Sequence, residues 1–283
     1  MQAGNQSGAA ALAPVTESGR AGLAALIENP RSALLAFDFD GTLAPIVDDP
    51  AGARAHPDAL PALQGVAGVV GRLAIISGRP VASAVEYGGL AGWSGPADLV
   101  VLGEYGLERW HAATGETTEP DPLPGVAEVK RRLPELLARA GAAAAHVEDK
   151  RVAVGVHTRR MPDPAEALDR LRGPLSALAA ETGLTLEPGR FVLELRPPGV
   201  DKGRALRGLV EEYAARMVMY AGDDLGDLAA YDAVDALRAE GVPGLLVCSG
   251  SVEVTALAER ADLVVDGPDG VIAVLRALAD RLH

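Results

Sequence analysis

The sequence predicts an α/β protein: a doubly wound parallel-sheet core interrupted by an inserted α+β domain. Three observations predict it. Short apolar runs recur at Ala33–Phe37, Leu73–Ile76, Leu99–Leu102, Met217–Tyr220, Leu245–Cys248 and Leu263–Val265, each followed closely by Gly, Ser or Asp. These runs are continuously apolar rather than alternating, the pattern of strands covered on both faces. Helical patterns separate several of them, and a stretch from about 110 to 198 breaks the rhythm with mixed strands and helices.

Taken in order, residues 1–29 read as a loosely ordered lead-in with a helix around Ala21–Ile27. The core takes 30–109 and 199–283. Its helices are expected at Pro80–Glu86, at 252–260, at 270–282 and at Gly203–Arg216, where Ala205, Leu206, Leu209, Val210 and Tyr213 form an apolar stripe. The insertion, 110–198, opens on the polar turn HAATGETTEPDP. A helix is expected at about 125–140, an alternating strand at 151–157 (RVAVGVH), a helix at 163–182 and a strand at 191–195 (FVLEL). In such sheets ligands bind beyond the carboxyl ends of the strands, where the acids and glycines of this chain collect.

With 283 residues the chain can bury a sizeable core. A formal charge of −13 argues against nucleic acid or an anionic membrane surface as partner, while leaving room for a small anion at a local cationic site. The single Cys248 excludes an intrachain disulfide and, within GLLVCSG, reads as a buried structural thiol. No segment has the ~18–20 apolar residues of a membrane span. The N-terminus, MQAGNQSGAAALAPVTESGR, lacks the basic start and apolar centre of a signal peptide, so a cytoplasmic location is the default expectation.

Four motifs carry chemistry. Asp38-Phe39-Asp40-Gly41-Thr42 follows an apolar strand, and a period of two puts both acids on one side of an extended segment. Burying an unpaired carboxylate is costly, which points to a cation or a charged substrate. One carboxylate can attack phosphorus. A second, two residues on, can protonate the leaving oxygen and then deprotonate water. Their proximity is expected to favour a protonated Asp40. Ile76-Ser77-Gly78-Arg79-Pro80 ends a second strand, offering a hydroxyl and the first amides of a helix to phosphate, with Pro80 expected at the first helical position. Asp201-Lys202-Gly203 starts a helix with a cation. Gly222-Asp223-Asp224-Leu225-Gly226-Asp227 gathers three acids in five residues, a good arrangement for Mg²⁺, which takes oxygen ligands. Singly, the Ser and Lys motifs look like a turn and a surface lysine.

In this order and at strand ends, the four motifs resemble those of the haloacid dehalogenase (HAD) superfamily of phosphotransferases. The resemblance implies Asp38 as nucleophile and Asp40 as general acid/base. It implies Mg²⁺ held by Asp38, the Asp40 carbonyl and Asp223 with Asp224 and Asp227 in support. Thr42, Ser77, Gly78 and Lys202 would hold phosphate, and residues 110–198 would be a cap that closes over the site. The segments Gly103-Glu104-Tyr105-Gly106, Glu148-Asp149-Lys150, His157-Thr158-Arg159 and Glu194-Leu195-Arg196-Pro197, with Ile76-Ser77-Gly78-Arg79, are similar to the trehalose-phosphatase family from about residue 30 onward. That similarity implies sugar-hydroxyl ligands at Glu148, Lys150 and Glu194, ordering roles for Arg159 and Arg196, and places Arg79 and Glu104 among the substrate-binding residues. Many relatives have His in the GEYG segment and Tyr where Thr158 stands.

The expected activity is Mg²⁺-dependent hydrolysis of trehalose 6-phosphate, by a monomer with a small-molecule substrate. Another sugar phosphate, such as sucrose or mannosyl-glycerate phosphate, is the nearest alternative. A mutase, or a phospho-accepting signalling domain lacking a built-in acid/base, stands further off. No synthase-sized extension is present, so any preceding step of trehalose synthesis is expected on another polypeptide.

Overall fold

The structure is a computed structural model that describes residues 12–47, 52–96, 98–121, 123–189, 191–250 and 255–283. The chain divides into two units, one formed by Met1–Thr118 with Asp201–His283 and the other by Glu119–Val200.

The first unit is built on an eight-stranded sheet. Its strands are β1 (Ala33–Phe37), β2 (Arg72–Ile76), β3 (Asp98–Gly103), β4 (Glu108–His111), β5 (Thr117–Thr118), β10 (Met217–Gly222), β11 (Gly244–Gly250) and β12 (Leu263–Asp266). They lie in the order β12-β11-β10-β1-β2-β3-β4-β5. From β12 to β3 every pair is parallel. All five residues of β1 and all six of β10 are buried, as strands covered on both faces require. One core lies on each face of the sheet. Leu35, Phe37 and Met219 join one, and Leu34, Ala36 and Tyr220 the other, the alternation a pleated strand imposes.

Helices α1 (Glu17–Glu28), α2 (Ala59–Ala67) and α3 (Val81–Tyr87) belong to this unit. Helix α1 buries Leu23 and Leu26 and packs on β10 and β11, so the segment expected as a loose lead-in is ordered from Glu17; residues 1–11 lie outside the described residues. A further correction concerns the insertion. Residues 108–111 and 117–118 extend the core sheet through antiparallel pairing that starts at β3, so the second unit begins at Glu119 rather than 110.

The second unit holds a four-stranded antiparallel sheet. Its strands are β6 (His146–Asp149), β7 (Val154–His157), β8 (Thr185–Gly189) and β9 (Val192–Arg196), with helices α4 (Pro124–Arg139) and α5 (Pro164–Glu181). The strand order is β6-β7-β9-β8. Val126, Val129, Leu133 and Leu137, spaced by three or four along α4, meet Leu171, Leu175 and Leu178 of α5 and the inward face of β7 and β9. The chain then re-enters the first unit through α6 (Lys202–Glu212), α7 (Leu228–Ala239), α8 (Thr255–Ala258) and α9 (Gly267–Leu282). Of the helix expected at 252–260, residues 252–254 lie outside the described residues. Among the described residues no helix is long and apolar enough to cross a membrane.

Candidate active site

Sheet register brings the first and fourth motifs together. Phe37 of β1 stands opposite Ala221 of β10, so Asp38 and the Gly222–Asp227 loop leave adjacent strands at the same level. The Asp38 N–H continues the ladder, donating to the Ala221 carbonyl at 2.8 Å. Carboxylate oxygens of Asp38, Asp223, Asp224 and Asp227 lie within 4.8 Å of one another. Gly41 makes this approach possible. Its φ is +72°, and a Cβ there would stand 2.0 Å from Asp223 Oδ2. The Ser249 hydroxyl, at the end of β11, fixes that turn by donating to the Gly41 carbonyl at 2.6 Å.

Lys202, the first residue of α6, reaches the same cluster. The Asp201 side chain caps the helix by accepting from the Arg204 N–H at 2.8 Å. The buried ammonium lies 2.8 Å from Asp38 Oδ1 and 2.7 Å from Asp227 Oδ1. Burial alone would lower its pKa, but the Asp227 and Asp38 carboxylates outweigh that and hold it well above the ordinary lysine value. Burial likewise pushes the Asp38 carboxyl well above the usual range; Lys202 pulls it back, while Asp227 and Asp223 add to the rise. Asp223 is pushed up to about 8 by burial and by the neighbouring Asp227 and Asp224 charges.

Three residues assigned from the sequence have partners that the motifs do not reveal. Asp227 is expected to support a metal, and its carboxylate does lie in the acidic cluster. Its wholly buried carboxylate is already filled by four donors: Lys202 Nζ and the Tyr220 hydroxyl on Oδ1, and the N–H groups of Asp223 and Asp224 on Oδ2. It therefore orders the loop and holds Lys202. Gly222 gives it room, since a Cβ there would meet its Cγ at 2.4 Å. Asp40, expected to carry a proton because of Asp38, points its side chain elsewhere. It forms two 2.6 Å hydrogen bonds with Arg79 Nε and Nη2, and its carboxylate is outside the acidic cluster. Arg79, expected at the substrate, pairs with Asp40.

The remaining acids suit a divalent cation. Asp223 Oδ1 is buried and has no hydrogen-bond partner among the described residues, and Asp38, Asp223 and Asp224 offer hard oxygen donors of the kind Mg²⁺ takes. The Thr42 hydroxyl is buried and equally unpartnered among them, although buried polar groups ordinarily have a partner. Ser77, also buried, follows β2, the neighbour of β1, and its Oγ accepts the Arg79 N–H at 3.1 Å, closing the turn at Gly78. The helix after this turn does not offer its first amide to phosphate. Pro80 is the residue before α3, not within it, and the Val81 N–H donates to the buried Glu108 Oε2 at 2.7 Å. Glu104 is buried in a turn where it and Tyr105 both have positive φ, +46° and +60°. The turn is tied to the Ser77 loop by Glu104 N–H to Arg79 O and Tyr105 N–H to Ser77 O, each 2.9 Å.

In the second unit, Glu148, Lys150, Glu194 and Arg196 come together on β6, β9 and the turn after β6. Lys150 pairs with Glu194, and lies 3.9 Å from Glu148. Arg196 lies 3.7 Å from Glu194 and 3.6 Å from Glu187. The His157 Nε2–Glu148 Oε2 separation is 2.9 Å. Arg159 is exposed and outside this group, and Thr158 is buried with its hydroxyl donated to the Pro164 carbonyl. Tyr220, Ser249 and Glu108 were not singled out from the sequence; the first two sit in apolar strand runs that gave no polar signal.

A strand-end aspartate paired with a buried lysine, beside further acids on the next strand of a parallel α/β core, is the arrangement of a HAD-like fold. The family model of trehalose-phosphatases matches residues 36–266, and the chain belongs to that family. It is 31% identical over 257 residues to a trehalose-phosphate phosphatase of Mycobacterium avium, an alignment covering 87% of this chain and 62% of that protein. The chain spans 15% to 62% of the length of the leading curated relatives. A trehalose-6-phosphate phosphatase structure from Aspergillus fumigatus superimposes with a TM-score of 0.63 at 26% identity, covering 94% of this chain and 99% of that one. The C-terminal domain of the C. albicans trehalose-6-phosphate phosphatase shares the fold with a TM-score of 0.72 at 20% identity, over 95% and 98% of the two chains.

Proposed function

We propose that this chain is a phosphatase that hydrolyses trehalose 6-phosphate to trehalose and phosphate through an aspartyl phosphate on Asp38. The buried Asp38–Lys202 pair carries the reading, because it places a nucleophilic carboxylate and a fixed positive charge where a phosphoryl group needs both. An Asp38 oxygen bonds to phosphorus as the phosphorus–sugar oxygen bond breaks, and Asp40 gives its proton to the departing sugar oxygen. Asp40 then takes a proton from water as that water attacks phosphorus, releasing phosphate and restoring the Asp38 carboxylate. Arg79, with two hydrogen bonds to Asp40, fixes where that carboxyl group stands for both transfers. Thr42, Ser77, Gly78 and Lys202 hold the phosphoryl oxygens. Asp38, Asp223 and Asp224, with the Asp40 carbonyl, would hold Mg²⁺, which when bound supplies charge to offset the growing negative charge of phosphoryl transfer.

For the sugar, Glu148, Lys150 and Glu194 supply acceptors and a donor for hydroxyl groups, while Arg196 steadies Glu194. Directed polar groups are what a hydroxyl-rich disaccharide demands. The relatives named for this activity support the choice of sugar. Phosphate release from a panel of sugar phosphates with Mg²⁺ tests it. Trehalose 6-phosphate should have the highest kcat/KM, and Asp38→Asn should abolish turnover with an unchanged circular dichroism spectrum. Preference for another sugar phosphate would overturn the substrate, and near-native turnover by Asp38→Asn would overturn the nucleophile.

A further inference from the structure

One buried polar group beside this chemistry has no part in it so far. Tyr220, on β10, is fully enclosed, and its hydroxyl donates to Asp227 Oδ1 at 2.6 Å. That oxygen also accepts Lys202 Nζ at 2.7 Å, and the same ammonium lies 2.8 Å from Asp38 Oδ1. We propose that Tyr220 is a positioning residue for phosphoryl transfer: by sharing Asp227 Oδ1 with Lys202, its hydroxyl sets how the ammonium is divided between Asp227 and the nucleophile Asp38. The proposal rests on the phosphatase reading.

The argument is one of saturation. Asp227 Oδ2 is fully occupied by the N–H groups of Asp223 and Asp224. Oδ1 has two donors, Tyr220 and Lys202. Remove the phenol oxygen and Lys202 becomes the sole donor to a buried anionic oxygen, which then draws it more strongly because no water competes. A shift of Nζ toward Asp227 changes the contact the ammonium makes with Asp38 Oδ1, 2.8 Å away, and with the phosphoryl group it serves. A phenol suits this position because it stays a donor. Burial, followed by the Asp227 charge, holds its proton on. Tyr231 provides the contrast. Its ring packs edge-on against Tyr220 with centroids 6.3 Å apart, it is equally enclosed, and its hydroxyl has no hydrogen-bond partner among the described residues. Packing on this face thus needs the two rings, whereas only one of the two oxygens is tied to the site.

Tyr220→Phe and Tyr231→Phe, each removing one oxygen from an enclosed ring, provide the test, with thermal melts to verify the fold. The expected result for Tyr220→Phe is a kcat lowered about 10- to 100-fold, the range for outer partners of site residues, with KM changed less than about twofold. Tyr231→Phe should keep the wild-type kcat. A Tyr220→Phe enzyme that melts lower but keeps the wild-type kcat would make the hydroxyl purely structural and overturn the proposal while leaving the phosphatase reading intact. Equal loss of kcat in both variants would also overturn it, by tracing the effect to packing. If the wild-type chain released phosphate from no phosphomonoester, the phosphatase reading would fall first and this role with it.

Discussion

Gly41→Ala should separate the assembly of the site from the stability of the fold. The added methyl would lie 2.0 Å from Asp223 Oδ2 and 2.2 Å from its Cγ. Non-bonded carbon–oxygen contacts settle above about 3 Å, so the carboxylate must retreat by roughly 1 Å. It can do so, because Asp223 Oδ1 is bound to nothing among the described residues that would resist. The backbone cost is that of an alanine in the left-handed region at φ +72°, about 1–2 kcal/mol, or several degrees in Tm for a unit of this size. Function should suffer more, because a 1 Å misplacement at a reacting centre can cost about 100-fold. The assay pairs a thermal melt with phosphate release across a Mg²⁺ titration. The expected variant is folded, melts a few degrees lower, and has a raised Mg²⁺ requirement with turnover down about 100-fold. Wild-type turnover at wild-type Mg²⁺ would refute the claim that Gly41 is small to let Asp223 reach the site.

Two further outcomes follow from the buried acids and the buried thiol beside them. A carboxyl raised to about 8 is stable in its protonated form, so in the cation-free protein Asp223 costs stability as pH rises from the ordinary carboxylate range through 8. A cation needs the carboxylate and must displace that proton below pH 8, so Mg²⁺ should raise the Tm more at about pH 8 than at about pH 6; equal gains would remove Asp223 from the cation site. Burial, with smaller contributions from the Asp223 and Asp227 charges, pushes the Cys248 thiol up to about 11. At about pH 8 only roughly one molecule in a thousand carries the thiolate, and the sulfur is enclosed, so the native protein should resist iodoacetamide and react on unfolding; rapid native alkylation would overturn the placement.

The core sheet was legible in the sequence because a doubly covered strand writes itself as a local apolar run. β1, β2, β3, β10, β11 and β12 all announce themselves this way. The edge strands do not. Glu108–His111 alternates over four residues and Thr117–Thr118 is only two long, so neither has enough side chains on one face to be distinguished from a turn. His146–Asp149 is largely polar and exposed, and is a strand because β7 supplies its ladder. What composition cannot register is a partner recruited from another element.

The same distinction runs through the site. Spacing within GDDLGD grouped three acids, and Asp223, Asp224 and Asp227 do converge, with Asp38; spacing within DFDGT set Asp40 beside Asp38, whereas its carboxylate lies outside that cluster. Spacing carries no information on what else fills a carboxylate's acceptor positions. Asp227 met Lys202, which lies 25 residues away in the chain, and Tyr220, concealed in an apolar run; Asp40 met Arg79, 39 residues on. Those donors decide the chemistry. Asp227 is saturated by an ammonium, a phenol and two amides, Asp223 keeps a buried oxygen without a partner among the described residues, and Asp40 is clasped by a guanidinium outside the acidic cluster. Three aspartates that look alike in the motifs thereby stand in three different surroundings, told apart by counting donors around each oxygen rather than by position in the loop.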